Sequence, residues 1–375
     1  MKTKILIAYL TYGNGHKSVA NYIKKYFNEK NPNLIIETLD LLNNNKTKLT
    51  RVTENIFNFF LLHVPIMWDL TYRLNNNRLI TKLSPTIAKI FDNQKLNNYI
   101  KDFNPDIIIS THFFASALME KYIKKENLNA KLITVLTDYH VHSIWLSGAN
   151  TEKVLTIANE DNLSFLHERN IKKEIIEPIG IPIYPTLKNN LNKKDIEDAF
   201  EEKNPLCIFF GGGGNGGTLA YPYLQKILTN NLKLNFIYIA GKNVKNKEKV
   251  DELIKKTNAK NIKTYGYIDN VADYLKIANF VISKPGGIQS TEALYFRKPF
   301  LMINTGGGQE TENIHYFEKN NYGKYFKNPE ELYNFLKTIE KDPSILNTFK
   351  ESMAKNNYQN AMQNFYNITS KYFNK

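Results

Sequence analysis

The chain has 375 residues, of which 42% are hydrophobic and 23% charged, which is enough for two hydrophobic cores and excludes a disordered protein. A single cysteine, Cys207, excludes an internal disulfide, and no apolar run approaches the roughly 20 residues of a transmembrane helix. The formal net charge of +14 favours an anionic partner surface. We therefore expect a two-domain cytoplasmic protein whose membrane contact, if it has any, is peripheral.

In the first half, short apolar runs alternate with helical patterns, which is typical of a parallel α/β sheet. The predicted strands are residues 5–10, 34–39, 107–110, 132–137 and 154–157. The sequence Gly180-Ile181-Pro182 and the polar stretch after it indicate a linker. We place the domain boundary between residues 187 and 188.

The segment 46–101 interrupts this alternation and predicts two or three helices inserted at the edge of the sheet. It carries nine basic and three acidic side chains, together with bulky apolar residues that include Phe60, Pro65, Trp68 and Tyr72. Two interpretations stay open, a buried helical hairpin with a solvated basic face and a contact with an anionic bilayer. Nucleic-acid binding is disfavoured because no recognised motif for it occurs.

Four of the seven histidines follow predicted strands, at what would be one edge of the first sheet. They are His16 after the first strand, His112 after the third, and His140 and His142 after the fourth. A hydroxyl nucleophile needs a base with a pKa near the working pH, and a neutral imidazole meets that need. His16, which follows the open turn Gly13-Asn14-Gly15, is our first candidate for the base.

Asp138 lies between the fourth strand and its histidines, where it can orient an imidazole, act on an acceptor, or cap the loop. Zinc binding by the histidines is disfavoured because the His-x-x-x-His spacing of a helical site does not occur. We therefore predict no metal, with Asp138 as the partner of the base.

The second half restarts the α/β pattern, with predicted strands at residues 206–210, 234–240, 262–265, 280–283 and 300–303. A glycine-rich loop, 211–217, follows the first of them and opens a helix. Position 217 is glycine where a Walker A loop has lysine, which disfavours an NTPase. The loop instead predicts close backbone approach to a diphosphate, through Gly212, Gly213, Asn215 and Gly216.

The turn Lys284-Pro285-Gly286-Gly287 is the most informative motif, because it joins an apolar strand to a predicted helix over 289–296. Such a helix start presents unpaired N–H groups and a positive dipole end to a phosphate. Glu292, in the first turns of this helix, can reach ribose hydroxyls. After the next strand a second glycine turn leads to Gln309 and Glu310, which can hydrogen-bond a sugar.

No Asp-x-Asp sequence occurs, so the carboxylate pair that usually holds a metal on a nucleotide diphosphate is missing. The leaving diphosphate then needs other positive charge. Helix N-termini after Gly217 and Gly287, with Lys284 or Lys242 nearby, can supply it.

These residues resemble the monogalactosyldiacylglycerol synthase and processive diacylglycerol glucosyltransferase family, GT-B enzymes related to the lipid II N-acetylglucosaminyltransferase. The motifs that carry the resemblance are Gly13 to His16; Pro65, Trp68 and Tyr72; Thr137-Asp138 with His142 and Trp145; Gly180 to Pro182; Gly211 to Gly217; Ala240 to Asn243; Gly266-Tyr267; Ser283 to Leu294; and Gly308 to Asn313. They run almost from end to end, which makes the resemblance specific.

The resemblance implies two Rossmann-like domains with parallel sheets facing across a cleft, an acceptor and membrane-facing domain (1–187) and a donor domain (188–375) whose last helix can cross back. It implies that Tyr267 lies near uracil, Glu292 on ribose, and Gln309 with Glu310 on the sugar. Further implied donor-binding residues are Gly286, Ile288 and Asn313 beside those named above. The implied acceptor or membrane residues are Gly15, Phe60, Pro65, Trp68, Tyr72, His112, His142 and Trp145.

Two positions depart from the family pattern. Arg297 stands where family members commonly have glycine before proline, and Gly308 where proline usually precedes Gln-Glu. The first can alter a helix end, and neither removes a proposed functional side chain.

The expected function is metal-independent, inverting transfer of glucose or galactose from a UDP-sugar to diacylglycerol, at the cytoplasmic face of the membrane, with no cofactor. Three alternatives stay open: transfer to another lipid carrier of the cell-wall type, sugar-nucleotide epimerisation, and a non-enzymatic membrane-associated UDP-sugar sensor. Gln309 and Glu310 suit either hexose, so the sequence does not choose between glucose and galactose.

Overall fold

The computed structural model describes residues 2–11, 14–44, 72, 74, 76, 86, 88–146, 153–188, 191, 194, 196, 198–212, 220–303 and 306–374. Two six-stranded parallel sheets organise these residues. The strands of the first sheet are β1 (Lys4–Tyr9), β2 (Ile35–Asp40), β3 (Ile107–Ser110), β4 (Lys131–Val135), β5 (Val154–Ile157) and β6 (Ile176–Pro178). The strands of the second are β7 (Leu206–Phe210), β8 (Asn235–Ile239), β9 (Ile262–Tyr265), β10 (Phe280–Ser283), β11 (Phe300–Ile303) and β12 (Gly323–Phe326). The prediction of two doubly wound parallel sheets is confirmed.

Helices lie between most of the consecutive strands, as is usual for the crossovers that parallel pairing requires. In the first half they are α1 (Gly15–Lys30), α2 (Leu41–Asn44), α3 (Gln94–Phe103), α4 (Phe113–Lys125) and α5 (Leu163–Glu168). In the second half they are α6 (Tyr221–Thr229), α7 (Val244–Thr257), α8 (Val271–Ile277), α9 (Gly287–Tyr295), α10 (Gln309–Lys319), α11 (Pro329–Lys341), α12 (Ile345–Ala354) and α13 (Ala361–Ser370). Short 3₁₀ turns occur at Lys89–Phe91, Ser143–Leu146, Glu160–Asn162, Lys173–Ile175 and Tyr358–Asn360.

The apolar runs predicted every inner strand and also two edge strands, β2 and β9. Strands β3 and β10 are buried at every position, so their sequences are continuous apolar runs with the predicted bounds. The sequence did not predict β6 and β12, which lie at the edges of their sheets. An edge strand pairs on one side only and tolerates the proline that ends β6 and the exposed Lys324 in β12.

The chain divides into two compact units. The first comprises Met1–Tyr184, Gly306–Gln309 and Tyr358–Lys375, and the second comprises Pro185–Thr305 and Glu310–Asn357. Within the first unit, α13 packs on α1, where the rings of Phe27 and Tyr366 meet edge to face with centroids 5.0 Å apart. Gln363 of α13 also accepts a hydrogen bond from the hydroxyl of Tyr26.

In the middle of each sheet lies a topological switch point, where the strand order reverses. The first sheet runs β2-β1-β3-β4-β5-β6, so the chain leaves β1 towards one edge and returns as β3 on the other side. The second runs β12-β11-β10-β7-β8-β9, which puts the same reversal between β7 and β10. Ligands of open α/β sheets bind at the carboxyl ends of the strands beside such a reversal. The loops after β1 and β3, and those after β7 and β10, are therefore the places to look for a site.

The predicted insertion, 46–101, lies mostly outside the described residues. Its described part contains the 3₁₀ turn Lys89–Phe91 and most of α3, together with Tyr72, Leu74 and Asn76. Among the helices of the described parts of the chain, none is both long and apolar enough to span a bilayer.

Candidate active site

His16 lies at the reversal of the first sheet, in the first turn of α1. Its ring Nδ1 is 2.6 Å from the carbonyl oxygen of Thr111, and the Thr111 hydroxyl donates to the His16 carbonyl at 2.9 Å. A carbonyl oxygen can only accept, so Nδ1 carries the proton in this contact. The lone pair of the neutral ring is then on Nε2. This is the tautomer in which a histidine can take a proton through Nε2.

The surroundings of His16 keep the ring neutral. Desolvation lowers the pKa of His16 to about 4, although its hydrogen bond to the Thr111 carbonyl acts in the opposite direction. The positive end of α1 also disfavours an added charge on the imidazole. The ring of His112 stands edge-on to it, with centroids 4.6 Å apart. His16 is therefore unprotonated at neutral pH, with the lone pair of Nε2 available to accept a proton.

Two threonines that the sequence analysis did not select contact His16. Besides Thr111, the hydroxyl of Thr137 lies 3.2 Å from Nδ1. Asp138, the predicted partner of the base, follows Thr137 directly and is partly exposed. The signal that could have found both threonines is positional, since Thr111 directly follows one predicted strand and Thr137 ends another, at the same edge as His16.

The other histidine of this cluster, His112, caps α4. Its Nδ1 accepts a hydrogen bond from the N–H of Phe114 at 3.1 Å, so Nε2 carries the proton. Desolvation, together with the nearby His16, holds the pKa of His112 well below its usual range. Its role toward an acceptor stays a prediction.

Both ring nitrogens of His142 also have protein partners. Nδ1 accepts from the Ile144 N–H at 3.1 Å, and Nε2 donates to the Tyr72 carbonyl at 2.9 Å. Desolvation lowers the pKa of His142 to about 4. Trp145, in the adjacent 3₁₀ turn, is buried, with its ring centroid 6.4 Å from that of His16. Of the described acceptor-side residues predicted from sequence, His112 and Trp145 have their rings beside that of His16, and we call these two rings the His16 wall.

At the reversal of the second sheet, the predicted phosphate turn starts α9. The N-cap is Gly286, which offers no side-chain acceptor to the helix, and α9 begins at Gly287. The first N–H groups of a helix, here including that of Ile288, have no carbonyl of an earlier helical turn to donate to. This start can accept an anionic group through backbone N–H groups and the helix dipole. Glu292, one turn further along the helix, is partly exposed.

Lys284 and Glu310, which the sequence assigned to diphosphate and sugar, form an ion pair with 2.6 Å between Nζ and Oε1. The carboxylate is almost fully buried, whereas about a third of the lysine side chain, 34%, is exposed. Asn313, one turn after Glu310, donates from Nδ2 to the Pro285 carbonyl at 2.9 Å. These two contacts hold the start of α10 against the turn Lys284-Pro285-Gly286-Gly287. The sequence did not predict either contact.

The remaining predicted donor residues lie at the same carboxyl edge of the second sheet. Lys242 follows β8 and lies over the ring of Tyr267, which follows β9, with 5.4 Å from Nζ to the centroid. The Tyr267 side chain is 60% exposed. Gly212 follows β7 and is partly exposed, as is Gln309 at the start of α10. The predicted residues Gly213, Asn215, Gly216, Phe60, Pro65 and Trp68 lie outside the described residues.

Both departures from the family pattern have a conformational explanation. Arg297 has φ 52° at the end of α9, a left-handed conformation that glycine adopts without strain. Gly308 has φ 58°. The proline ring fixes φ near −65°, so this turn cannot form with proline at position 308.

No group of three or more His, Cys, Asp or Glu side chains arranged to hold a metal ion occurs within the described parts of the chain.

Family comparisons match both halves of the chain. Residues 16–183 match the model for monogalactosyldiacylglycerol (MGDG) synthase, and residues 207–370 match that for the glycosyltransferase family 28 C-terminal domain. A processive diacylglycerol beta-glucosyltransferase of Staphylococcus epidermidis is 25% identical, over 93% of this chain and 88% of the relative. A Bacillus cereus protein of the same name is also 25% identical, over 93% of this chain and 89% of its own length.

Solved structures of low sequence identity share the fold. The MnaA–UDP complex of S. aureus aligns with a TM-score of 0.63 at 15% identity, over 99% of this chain and 96% of that one. MurG of Acinetobacter baumannii aligns with a TM-score of 0.62 at 12% identity, over 98% and 99% of the two chains. A UDP-GlcNAc 2-epimerase from Neisseria meningitidis bound to UDP-GlcNAc gives 0.63 at 14% identity, over 98% and 100%.

The two half-chain matches agree with the two α/β units and with the resemblance carried by the sequence motifs. The chain is a GT-B glycosyltransferase and belongs to the family of monogalactosyldiacylglycerol synthases and processive diacylglycerol glucosyltransferases.

Proposed function

We propose that the protein transfers glucose or galactose from a UDP-sugar to the free hydroxyl of diacylglycerol, with inversion, to give a β-glycosyldiacylglycerol. The first-half match to monogalactosyldiacylglycerol synthase and the names of the relatives support diacylglycerol as the acceptor. UDP in the structural neighbours supports the nucleotide. The bacterial relatives are named as glucosyltransferases, which favours UDP-glucose as the first donor to test.

The observation that carries the proposal is the state of His16. A neutral ring with its proton fixed on Nδ1 presents Nε2 as an acceptor at the carboxyl edge of the first sheet. In the proposed reaction, Nε2 takes the proton of the diacylglycerol hydroxyl while the hydroxyl oxygen bonds to the anomeric carbon. Asp138 assists by polarising the base or the acceptor. The bond from the anomeric carbon to UDP breaks on the opposite face.

The donor side supplies the electrostatic part of the proposed catalysis. The N-terminus of α9 and the ammonium of Lys284 stabilise the negative charge that develops on the leaving diphosphate. Tyr267 provides a face for uracil, and Glu292 accepts from ribose hydroxyls. Gln309 and Glu310 bind the hexose. No cofactor and no metal ion takes part in the proposed reaction.

We place the protein at the cytoplasmic face of the membrane, as a peripheral protein. The basic and aromatic composition of segment 46–101 supports contact with an anionic bilayer. Nucleic acid is not a proposed partner.

Product analysis tests the proposal. Purified protein is incubated with diacylglycerol vesicles and either UDP-glucose or UDP-galactose, and the lipids are identified by mass and anomeric linkage. We expect a β-linked monohexosyl product. An α-linkage would refute inversion. Transfer to a polyprenyl carrier alone, epimerised UDP-sugar, or UDP-sugar binding without turnover would replace the proposal by the corresponding alternative.

The histidine variants test the base. His16→Ala, folded and still binding UDP, is expected to lose about 10²–10⁴-fold in turnover, the usual contribution of a general base. His167→Ala is the matched control, because His167 is exposed and lies on α5. Near wild-type transfer by His16→Ala would exclude His16 as the base.

A further inference from the structure

A second set of polar side chains, which the proposed reaction does not use, lies beside the His16 wall. Ser143 donates to the side-chain oxygen of Asn76 twice, from its N–H at 2.8 Å and from its hydroxyl at 2.9 Å. Arg169 donates from Nε to the Ser143 hydroxyl oxygen at 3.1 Å and from Nη2 to the Asn76 carbonyl at 3.2 Å. We call Asn76, Ser143 and Arg169 the Asn76 clamp.

The hydrogen bonds of this clamp form a continuous network with defined donors and acceptors. Ser143 has no exposed surface, and both its N–H and its hydroxyl donate to Asn76 Oδ1 in place of water. The guanidinium of Arg169 lies over the ring of Phe165, 3.5 Å from the centroid, and its Nη1 donates to the Phe165 carbonyl. Hydrogen bonds that continue from Arg169 through Ser143 to Asn76 reinforce one another. The clamp is therefore a rigid contact and not a set of surface side chains that meet by chance.

The Asn76 clamp adjoins the hydrogen bond between His142 and the Tyr72 carbonyl, because His142 and Ser143 are consecutive residues. His142 donates to the Tyr72 carbonyl, and Arg169 donates to the carbonyl of Asn76, four residues further along the chain. The Tyr72 ring also packs on the His142 ring, with centroids 4.2 Å apart. Leu74, between these two anchors, is 66% exposed. Tyr72 and Asn76 are thus each held by hydrogen bonds, and the Leu74 side chain is exposed.

The Asn76 clamp is connected through one 3₁₀ turn to a ring beside the candidate base, His16. The 3₁₀ turn Ser143–Leu146 carries both Ser143 of the clamp and Trp145 of the His16 wall. The Trp145 N–H donates to the His142 carbonyl at 3.0 Å, which ties the tryptophan to the His142–Tyr72 contact. A shift of Asn76 or Ser143 would therefore move the wall that faces His16.

We propose that Asn76, Ser143 and Arg169 are positioning residues that hold the chain at Tyr72 and Asn76 in place for the lipid acceptor beside His16. The proposal rests on the proposed function, because it assumes that a lipid hydroxyl binds next to His16. The three residues of the clamp all belong to the first unit, whereas Lys284 and the start of α9 belong to the second. Loss of the clamp therefore affects the acceptor and leaves UDP-sugar binding unchanged.

Two substitutions at one position separate positioning from a general structural role. Asn76→Ala removes the acceptor that two buried donors of Ser143 share, whereas Asn76→Asp keeps an acceptor at the same place. Arg169→Lys keeps the positive charge, but the lysine ammonium lacks the planar fork of N–H donors with which the guanidinium bonds two acceptors. Lys172→Ala is the control, because Lys172 is exposed and shortly follows Arg169 in the chain.

The measurements are KM for diacylglycerol in mixed vesicles, KM for the UDP-sugar, thermal midpoint, and hydrogen exchange of the Ser143 amide. We expect Asn76→Ala to raise KM for diacylglycerol about tenfold, equivalent to one lost hydrogen bond, with KM for the UDP-sugar unchanged. Its Ser143 amide is expected to exchange faster. Asn76→Asp should restore both values, and Arg169→Lys should fall between.

Two outcomes would overturn the proposal. One is faster exchange in Asn76→Ala with a wild-type KM for diacylglycerol, because the clamp would then have no part in acceptor binding. The other is a common fall in turnover and thermal midpoint with both KM values unchanged, which is the result of a merely structural role. If the wild-type protein makes no glycolipid, the proposed function fails by itself. Unchanged exchange of the Ser143 amide in Asn76→Ala then overturns the clamp independently.

Discussion

The ion pair between Lys284 and Glu310 has a measurable effect on stability, because burial decides how much such a pair contributes. Exposed pairs contribute about 0.2–1 kcal/mol, whereas breaking a buried pair costs about 3–5 kcal/mol. Here the glutamate side chain is 6% exposed and the lysine side chain 34%. The solvent that reaches the lysine screens part of the interaction. We therefore expect a coupling of about 1–3 kcal/mol.

A double-mutant cycle measures this coupling. Lys284→Met and Glu310→Gln keep the approximate shapes of the side chains and remove the charges. Urea denaturation of the wild type, both single variants and the double variant gives four free energies of unfolding, and their non-additivity is the coupling. A value below about 0.5 kcal/mol would refute the reasoning, because the pair would then behave as an exposed one.

The same variants separate the two partners in donor binding. Lys284→Met is expected to weaken UDP binding about 10–100-fold in calorimetry, the value of one hydrogen bond to a charged group. Glu310→Gln should weaken it far less, because the ammonium loses its counter-charge but remains. Lys260→Met, at the opposite edge of the second sheet just before β9, is the control. Equal losses for Lys284→Met and Glu310→Gln would show that the pair acts only through the shape of the site.

Three further predictions follow from local geometry. The proposed base His16 is active when neutral and its pKa is about 4, so activity should persist as the pH falls through 6.5 and decline only toward about 4. A pH–rate profile that falls near pH 6.5 would contradict this prediction. Gly323→Ala should lower the free energy of unfolding by about 2–3 kcal/mol, because the new Cβ would lie 1.9 Å from the Phe300 carbonyl oxygen. Arg297→Gly should raise it by about 0.5–1 kcal/mol by relieving the left-handed backbone, and urea denaturation checks both.

The fold could be predicted from the sequence wherever a strand is covered on both faces. The apolar runs of β3 and β10 are short, continuous and bounded by polar residues, so their limits are visible in the sequence. The edge strands β6 and β12 carry no such run, because only part of each is buried. Their pairing is decided by the neighbouring strand and not by their own composition.

The candidate site likewise has features that the sequence predicts and contacts that only the folded chain shows. A glycine turn between a strand and a helix is a local signal, so the sequence identified the turn before His16 and the one after Lys284, and it named the family. It did not identify Thr111, which holds the His16 tautomer from 95 residues away, or the bond between Ser143 and Asn76 across 67 residues. Nor did it pair Lys284 with Glu310. These contacts depend on which strands and loops are neighbours, and strand order is fixed only when the whole chain packs. The sequence by itself therefore determined which groups stand at the strand ends, and the tertiary structure decided which of them meet, and so which nitrogen of His16 carries the proton.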